Sequence, residues 1–428
     1  MNAARNAAVT TAASLLMVLG LAACAGGAGS PSPSVSESLP SAEPSLAESA
    51  MSSASPPAPS ESATPSASPS ASPSVSQEPA ANDAFAWADA GKFSGPGVTS
   101  VTDVATWDGG FLAVGHAWAG GFTGGPGEPL VWVSEDGRSW SEVDPGLGTT
   151  DVELRGILRL TTGGIVIVGD VGRQAAQSGE GPITSAAWRS TDGQTWNEFE
   201  LPGEIASQAV SVASGPVGHV IVTRSEVWYS ADVESWQLAY EVDEGVDLGQ
   251  PRAGDEGFVM PAYHREEEQA LVLASGNGIA WFEAESPVGL FGVAPLRGDW
   301  LAWAYTDDPA TISTLRSANG LDWSVALDVN DLTPPDGPKA GLGMESGITE
   351  ATLSGEVGVV VMTLGWNHCC ASLPVAVGVW TTTDGATWQQ ADLPADAYVN
   401  AFATDGEVVV AAGNLDRGVE AAFWVADR

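Results

Sequence analysis

The sequence predicts an all-β domain folded as a single β-propeller of seven four-stranded blades, with an N-terminal strand closing the last blade. Three observations carry this. Nearly the same short phrase of Trp, a hydroxyl residue, Asp or Asn, Gly and a second Trp occurs five times, one copy having Val233 for the Gly and one lacking the first Trp, at the roughly forty-to-sixty-residue period of propellers and solenoids. Runs of Val, Ile and Leu of strand length alternate with Gly-, Asn- and Asp-rich turns. Finally, the last repeat stops after its third strand, and a matching fourth strand stands at the other end of the folded region.

In chain order, Arg5 and an apolar run over 7–23 read as an export signal, the run being too short for a comfortable membrane span. It closes with Leu21-Ala22-Ala23-Cys24 before Gly-rich sequence, which resembles the lipobox of bacterial lipoproteins. That resemblance implies a signal peptide over 1–23 and acylation of Cys24 as the first mature residue. It also implies export and anchoring at the outer face of the bacterial cell membrane, stable once two or more acyl chains are attached. Residues 24–82 are Ser-, Pro- and Ala-rich without apolar period. Such composition cannot bury enough surface to offset its ordering entropy, so a disordered, semi-rigid stalk is expected. Residues 83–428 are the propeller domain.

Seven units follow, over 100–143, 152–201, 207–240, 249–287, 289–327, 341–393 and 398–428. The second shows the pattern most plainly. Two Val/Ile/Leu strands flank a Thr-Thr-Gly-Gly turn, a long polar loop follows over 172–185, and the third strand meets an Asp-Gly turn before a fourth. Asp-Gly accepts the positive φ values of a tight hairpin. The turn copies are carried by Trp132, Asp136 and Trp140; Trp188, Asp192 and Trp196; and Trp228, Asp232 and Trp236. Asn319 and Trp323 form a copy without its first Trp, and Trp380, Asp384 and Trp388 form the fifth. The fourth unit is expected to lack the turn and to keep only Trp281 and Phe282. Phe85, Trp87 and Phe93 resemble the fourth strands of the early units, so Trp87 supplies the Trp that the seventh unit lacks.

The chain carries 15 basic against 54 acidic residues, a formal net charge of −39, and its only lysines are Lys92 and Lys339. Nucleic acid and anionic lipid headgroups are therefore poor partners, and membrane contact is expected through the lipid anchor alone. No Asp-x-Asp-x-Asp-Gly calcium loop occurs, and neither a metal nor another cofactor is expected. Beyond Cys24 only the adjacent Cys369 and Cys370 remain. They form either a strained vicinal disulfide or two free thiols; neighbouring Cys cannot easily share one tetrahedral zinc ion.

The repeated turn resembles the Asp-box, or BNR repeat, written in that family as Ser-x-Asp-x-Gly-x-Thr-Trp. Here the spacing is Ser-x-Asp-Gly-x-x-Trp, one residue shorter. The resemblance implies the sialidase-like superfamily of propellers, in which these turns are structural. They lie on one face of the toroid. The longer connections between second and third strands and between blades lie on the other, where long loops on a rigid scaffold carry binding. Those connections hold His116, Trp118 and Phe122; Tyr263, His264, Arg265, Glu266 and Glu267; Trp366, Asn367, His368, Cys369 and Cys370; and Asn414, Asp416 and Arg417. His116, Trp118, His264, Arg265, Trp366 and His368 are the candidate ligand-binding residues.

The expected function is a non-catalytic, lipid-anchored, monomeric binding module for an extracellular glycan, peptide or protein. A sialidase-type glycoside hydrolase is the enzymatic alternative. It needs an Arg cluster, a Tyr nucleophile with a Glu partner and an acid, for which Arg155, Arg159, Tyr240 and Glu241 are the available residues. The Arg-Ile-Pro signature of such enzymes is absent and no catalytic residue is assigned. An extracytoplasmic assembly factor is a further alternative, supported by fold class alone.

Overall fold

The computed structural model describes residues 85–95, 97–118, 126–160, 163–206, 210–286, 288–305, 312–328, 347–356, 359–367, 376–394, 396–415 and 419–428. Cys24 and the signal and stalk segments lie outside them, as do His368, Cys369, Cys370, Asp416 and Arg417.

Seven antiparallel sheets follow one another along the chain. Blade one comprises Val98–Trp107, Gly110–Trp118, Gly127–Ser134 and Ser141–Val143. Blade two comprises Val152–Arg159, Ile165–Val171, Thr184–Ser190 and Asn197–Phe199. Blade three runs from Ser211–Gly215 through Gly218–Val222 and Glu226–Ser230 to Gln237–Glu241. In blade four the first strand is split into Val246–Leu248 and Arg252–Gly254, before Gly257–His264, Gln269–Ser275 and Phe282–Glu285. Blade five begins at Leu290–Leu296 and ends at Ser324–Asp328; blade six begins at Gly347–Glu356 and ends at Gln389–Gln390. Blade seven contributes Tyr398–Thr404, Val408–Leu415 and Glu420–Asp427, and Ala88–Ser94 pairs antiparallel with the last of these as its fourth strand. This pairing of Ala88–Ser94 with the C-terminal strands closes a ring of seven blades. First strands of neighbouring blades lie against one another around it, blade seven against blade one included.

Because every strand alternates its side chains between two faces, the apolar core lies between blades rather than at the ring centre. Blades seven and one share Val101, Phe111, Trp132, Trp140, Phe423 and Val425. Separate layers join one to two, two to three, three to four, four to five and six to seven. At the closing seam Phe423 stacks on Trp140, with ring centroids 4.2 Å apart and planes 14° apart, and meets Phe93 edge-on. Trp87 packs against the layer between blades six and seven, so the N-terminal strand buries aromatic surface on both of its faces.

The recurring phrase folds as one turn between third and fourth strands. In blade two, Asp192 Oδ1 accepts from the backbone N–H of Gln194 and Thr195 at 2.9 and 2.7 Å, and Ser190 Oγ donates to the same oxygen at 3.0 Å. The backbone bond from Thr195, followed by that from Gln194, holds the Asp192 carboxyl at about 2. Gly193 supplies the positive φ of 68°. Blade three puts Val233 there instead, at φ 68°, and buries it in the layer shared with blade two.

Blade four corrects the sequence expectation: it has the same turn, with Asn277 in place of Asp. Asn277 Oδ1 accepts from Ile279 and Ala280 N–H at 2.9 and 2.8 Å, and Trp281 Nε1 donates to the Gly278 carbonyl at 2.9 Å. The turn needs an acceptor oxygen at that position and not a charge, which an amide supplies equally well. Six blades therefore carry the turn.

A second repeated device does not show in the sequence pattern. In the first strands of blades one, two, five, six and seven the register against the second strand shifts by one residue, at Thr102, Arg155, Phe291, Thr349 and Asn400. A bulge disrupts the ladder locally and re-aims a side chain. A side chain of the preceding blade donates to the carbonyl just before three of these shifts: Asn400 Nδ2 to the Val101 carbonyl at 3.0 Å, Thr102 Oγ1 to the Leu154 carbonyl at 2.8 Å, and Thr363 Oγ1 to the Val399 carbonyl at 3.2 Å. Blades six, seven, one and two are stitched in this way. No helix among the described residues is long and apolar enough to cross a membrane.

Candidate functional site

The loop-face end of the ring between blades one and two gathers charge onto rigid strands. Glu153 and the bulged Arg155 stand on the first strand of blade two, Asp170 near the end of its second strand. The connection that follows, read from the sequence as an irregular loop, contains a short helix, Arg173–Ser178. Asp151 holds that helix down: its Oδ2 accepts from the Gln174 N–H at 2.7 Å and its carbonyl from the Gly172 N–H at 3.0 Å. A carboxylate at this end also meets the favourable pole of the helix dipole.

The helix thereby delivers Arg173 to the two carboxylates. Arg155 Nη2 lies 2.8 Å from Glu153 Oε2, and Arg155 Nε 2.7 Å from Asp170 Oδ2. Arg173 Nε lies 2.7 Å from Glu153 Oε2, and its Nη2 3.5 Å from Asp170 Oδ2. Trp118 Nε1 donates to the remaining Glu153 oxygen at 3.0 Å, and the Val210 N–H of blade three to Asp170 Oδ1 at 3.3 Å. Both carboxylate side chains are 2% exposed, against 26% and 34% for Arg155 and Arg173. Two buried negative charges are thus compensated by two arginines whose side chains are about a quarter and a third exposed, an arrangement buried charges require.

Below Trp118 lies His116, buried, with its ring 4.3 Å from the indole. Burial, reinforced by the charges of Arg155 and Arg173, pushes its imidazole down to about 3. It is a neutral ring near pH 7.

A second polar set lies further along the first strands. Asp103 of blade one accepts from the Ile157 N–H of blade two at 2.9 Å and from the Val104 N–H at 2.8 Å. Burial nevertheless pushes its carboxyl up to about 6, against those bonds and the charges of Arg252 and Arg159. Arg252 stands on the first strand of blade four, three blades away along the chain. Toward the turn face, Arg159 Nη1 donates to Thr106 Oγ1 at 3.0 Å, and Ser214 Oγ lies 2.6 Å from His219 Nδ1. Burial, with the Arg159 charge, holds His219 at about 4. Among the described residues no three His, Cys, Asp or Glu side chains converge as a metal site.

The residues singled out from the sequence are dispersed. His116, Trp118, Tyr263, His264, Trp366, Asn367 and Asn414 stand in second strands, which run further than the pattern of apolar residues suggested. His116 is core and Trp118 is half-buried against Glu153. Arg265, at the hairpin tip of blade four, donates through Nε and Nη2 to the two carboxylate oxygens of Asp247. Asn414 is buried and donates to the Thr99 carbonyl, so it ties blade seven to blade one. Arg155 stands on an innermost strand and Tyr240 on the outermost strand of the next blade, where its hydroxyl donates to Glu283 at 3.2 Å. The structure does not bring those two together. Glu153, Asp170 and Arg173, missed from the sequence, carried one signal: charged residues inside or beside otherwise apolar strands.

No protein-family model matches the chain, and no curated protein does. Solved structures share the fold. A catalytically inactive virginiamycin B lyase from Staphylococcus aureus with quinupristin is 10% identical, over 80% of this chain and 99% of that one, at a TM-score of 0.46. The Pan2 WD40 domain of Neurospora crassa is 9% identical, over 80% and 96%, at 0.47. An α-L-arabinofuranosidase from Fusarium graminearum, in complex with an iminosugar inhibitor, is 14% identical, over 63% and 91%, at 0.35. At these identities the likeness extends to a propeller fold that serves enzymes and WD40 scaffolds alike.

Proposed function

We propose that this chain is a bacterial cell-surface lipoprotein whose propeller binds an extracellular glycan, peptide or protein through its loop face without catalysis. In this reading Cys24 carries the lipid, residues 24–82 hold the domain away from the membrane, and the repeated turns are Asp-box-like structural elements. The observation that carries it is the mouth cluster. Arg155, Arg173 and Trp118 present partly exposed cationic and aromatic side chains on a frame fixed by two buried carboxylates, in a chain whose charged residues are otherwise mostly acidic. Preorganised donors beside an aromatic face suit recognition of a polar partner. The separation of Tyr240 from Arg155 favours binding over sialidase-type chemistry.

Glycan arrays and pull-downs from extracellular fractions with the mature chain test the proposal. Binding is expected to fall with Trp118→Ala and Arg173→Ala and to persist in a variant of the turn face, Thr195→Ala. Equal binding by all variants refutes the choice of face. Turnover of sialosides or other glycosides that Arg173→Ala abolishes refutes the non-catalytic reading.

A further inference from the structure

Each blade ends in an outermost strand whose outer edge presents backbone N–H and C=O groups unpaired within the sheet. Such an edge is a template for another strand unless charge or covering blocks it. Two residues after the turn tryptophan, this strand carries the charged Glu142 and Glu198 in blades one and two, Asp89 after Trp87 in blade seven, and the polar, uncharged Gln390 in blade six. Blades three and five depart from that protection, and blade four does so in part. Leu238 and Val325 occupy the position in blades three and five, 46% and 62% exposed. Blade four keeps Glu283 but precedes it with Phe282, 62% exposed, and adds Ile279 in its turn, 46% exposed. Exposed large apolar side chains therefore gather on the outer edges of three consecutive blades.

Within these edge strands the charge has one sign. The three edge strands, Gln237–Glu241, Phe282–Glu285 and Ser324–Asp328, contain no Lys or Arg, and Glu241, Glu283 and Glu285 are exposed. A second copy of this chain would set carboxylate against carboxylate, in a molecule of net charge −39, and like charges directly opposite destabilise a strand pair. An apolar, acidic, open edge instead fits an extended segment that alternates apolar with cationic side chains.

We propose that the outermost strand of blade four, Phe282–Glu285, is a strand-addition site for an extended cationic–apolar segment of another protein. Main-chain hydrogen bonds along the free edge would give affinity, and alternate side chains would give specificity. Because side chains alternate between faces, the incoming apolar residues meet Phe282 and Ala284, and its Lys or Arg residues meet Glu283 and Glu285. The Tyr240 hydroxyl, bonded to Glu283 at 3.2 Å, ties this edge to that of blade three. The site is separate from the loop-face mouth, and its failure leaves that reading intact.

The test uses the mature chain and a labelled synthetic peptide of alternating valine and lysine, read by fluorescence anisotropy at low and high salt. The same peptide with backbone N-methyl groups, and a valine–glutamate peptide, are the comparisons. The valine–lysine peptide is expected to bind, with N-methylation or Phe282→Ser each weakening it about tenfold. Glu283→Lys is expected to weaken it similarly, and Arg173→Ala at the mouth to leave it unchanged. Circular dichroism checks that Phe282→Ser folds, as an exposed position allows. Equal binding of the N-methylated peptide would reduce the effect to charge attraction and overturn the proposal. Equal binding by Phe282→Ser overturns it too, as does a concentration-dependent dimer, seen by sedimentation, that Phe282→Ser abolishes.

Discussion

Replacing Arg155 by methionine keeps the apolar stem of the side chain and removes the charge that Glu153 and Asp170 share. Both carboxylates are 2% exposed, and Arg155 reaches them at 2.8 and 2.7 Å. What remains is Arg173, a third exposed, at 2.7 Å from one and 3.5 Å from the other. Removing one partner from a buried pair costs about 3–5 kcal/mol, because the other charge stays buried and uncompensated. Arg155 is itself 26% exposed and Arg173 still compensates in part, which places the expected loss at the lower end, about 3 kcal/mol. Glu153→Gln added to Arg155→Met removes the stranded charge and keeps an acceptor for the Trp118 indole. The double variant should therefore recover about 1.5 kcal/mol or more relative to additivity. Urea unfolding, followed by tryptophan fluorescence and far-ultraviolet circular dichroism, measures all four corners of the cycle. A loss below about 1 kcal/mol for Arg155→Met, or strict additivity in the cycle, refutes the assignment of these groups as one coupled network.

Three further outcomes follow from the same geometry. His116 and His219 stay neutral in the fold down to about 3 and about 4, whereas the unfolded chain protonates them near ~6.5, so each withdraws stability as pH falls below that value. Asp103, pushed up to about 6, takes up a proton in the fold before the unfolded chain does, and adds stability over the same window. Asp103→Asn should thus steepen, and His219→Gln flatten, the loss of stability between about pH 6 and pH 4, each by up to ~1.4 kcal/mol per pH unit in urea unfolding; unchanged slopes would sink this account. In the blade-six turn, Asp384→Ala loses the acceptor for the Ala386 and Thr387 N–H groups and should cost about 1 kcal/mol, as at a helix N-cap. Asp384→Asn should cost almost nothing in the same thermal melts, since Asn277 and Asn319 already serve blades four and five. At the closing seam Phe423→Ala empties a fully buried site against Trp140 and should cost about 3–5 kcal/mol, whereas a loss below about 1 kcal/mol would show that the seam contributes little.

The blade count, the ring closure and the turn positions were determined by the sequence itself, because each is local. Ser190, Asp192 and Gly193 complete their bonds within six residues of chain, and the N-terminal strand repeats a pattern written elsewhere in the blades. Blade four shows where such reading stops. Asn277 does the work of Asp192, which only the oxygen's position between two N–H groups reveals. The mouth cluster needed the tertiary structure altogether. Nothing in the spacing of Glu153, Asp170 and Arg173 indicates that one meets the others; a bulge at Arg155 and a helix held by Asp151 bring them together. The same holds for Asp103, whose bond to Ile157 and nearness to Arg252 depend on how the blades pack around the ring. Local hydrogen bonds and period-two burial are written residue by residue. The partners of a buried charge are chosen by the closure of the whole toroid.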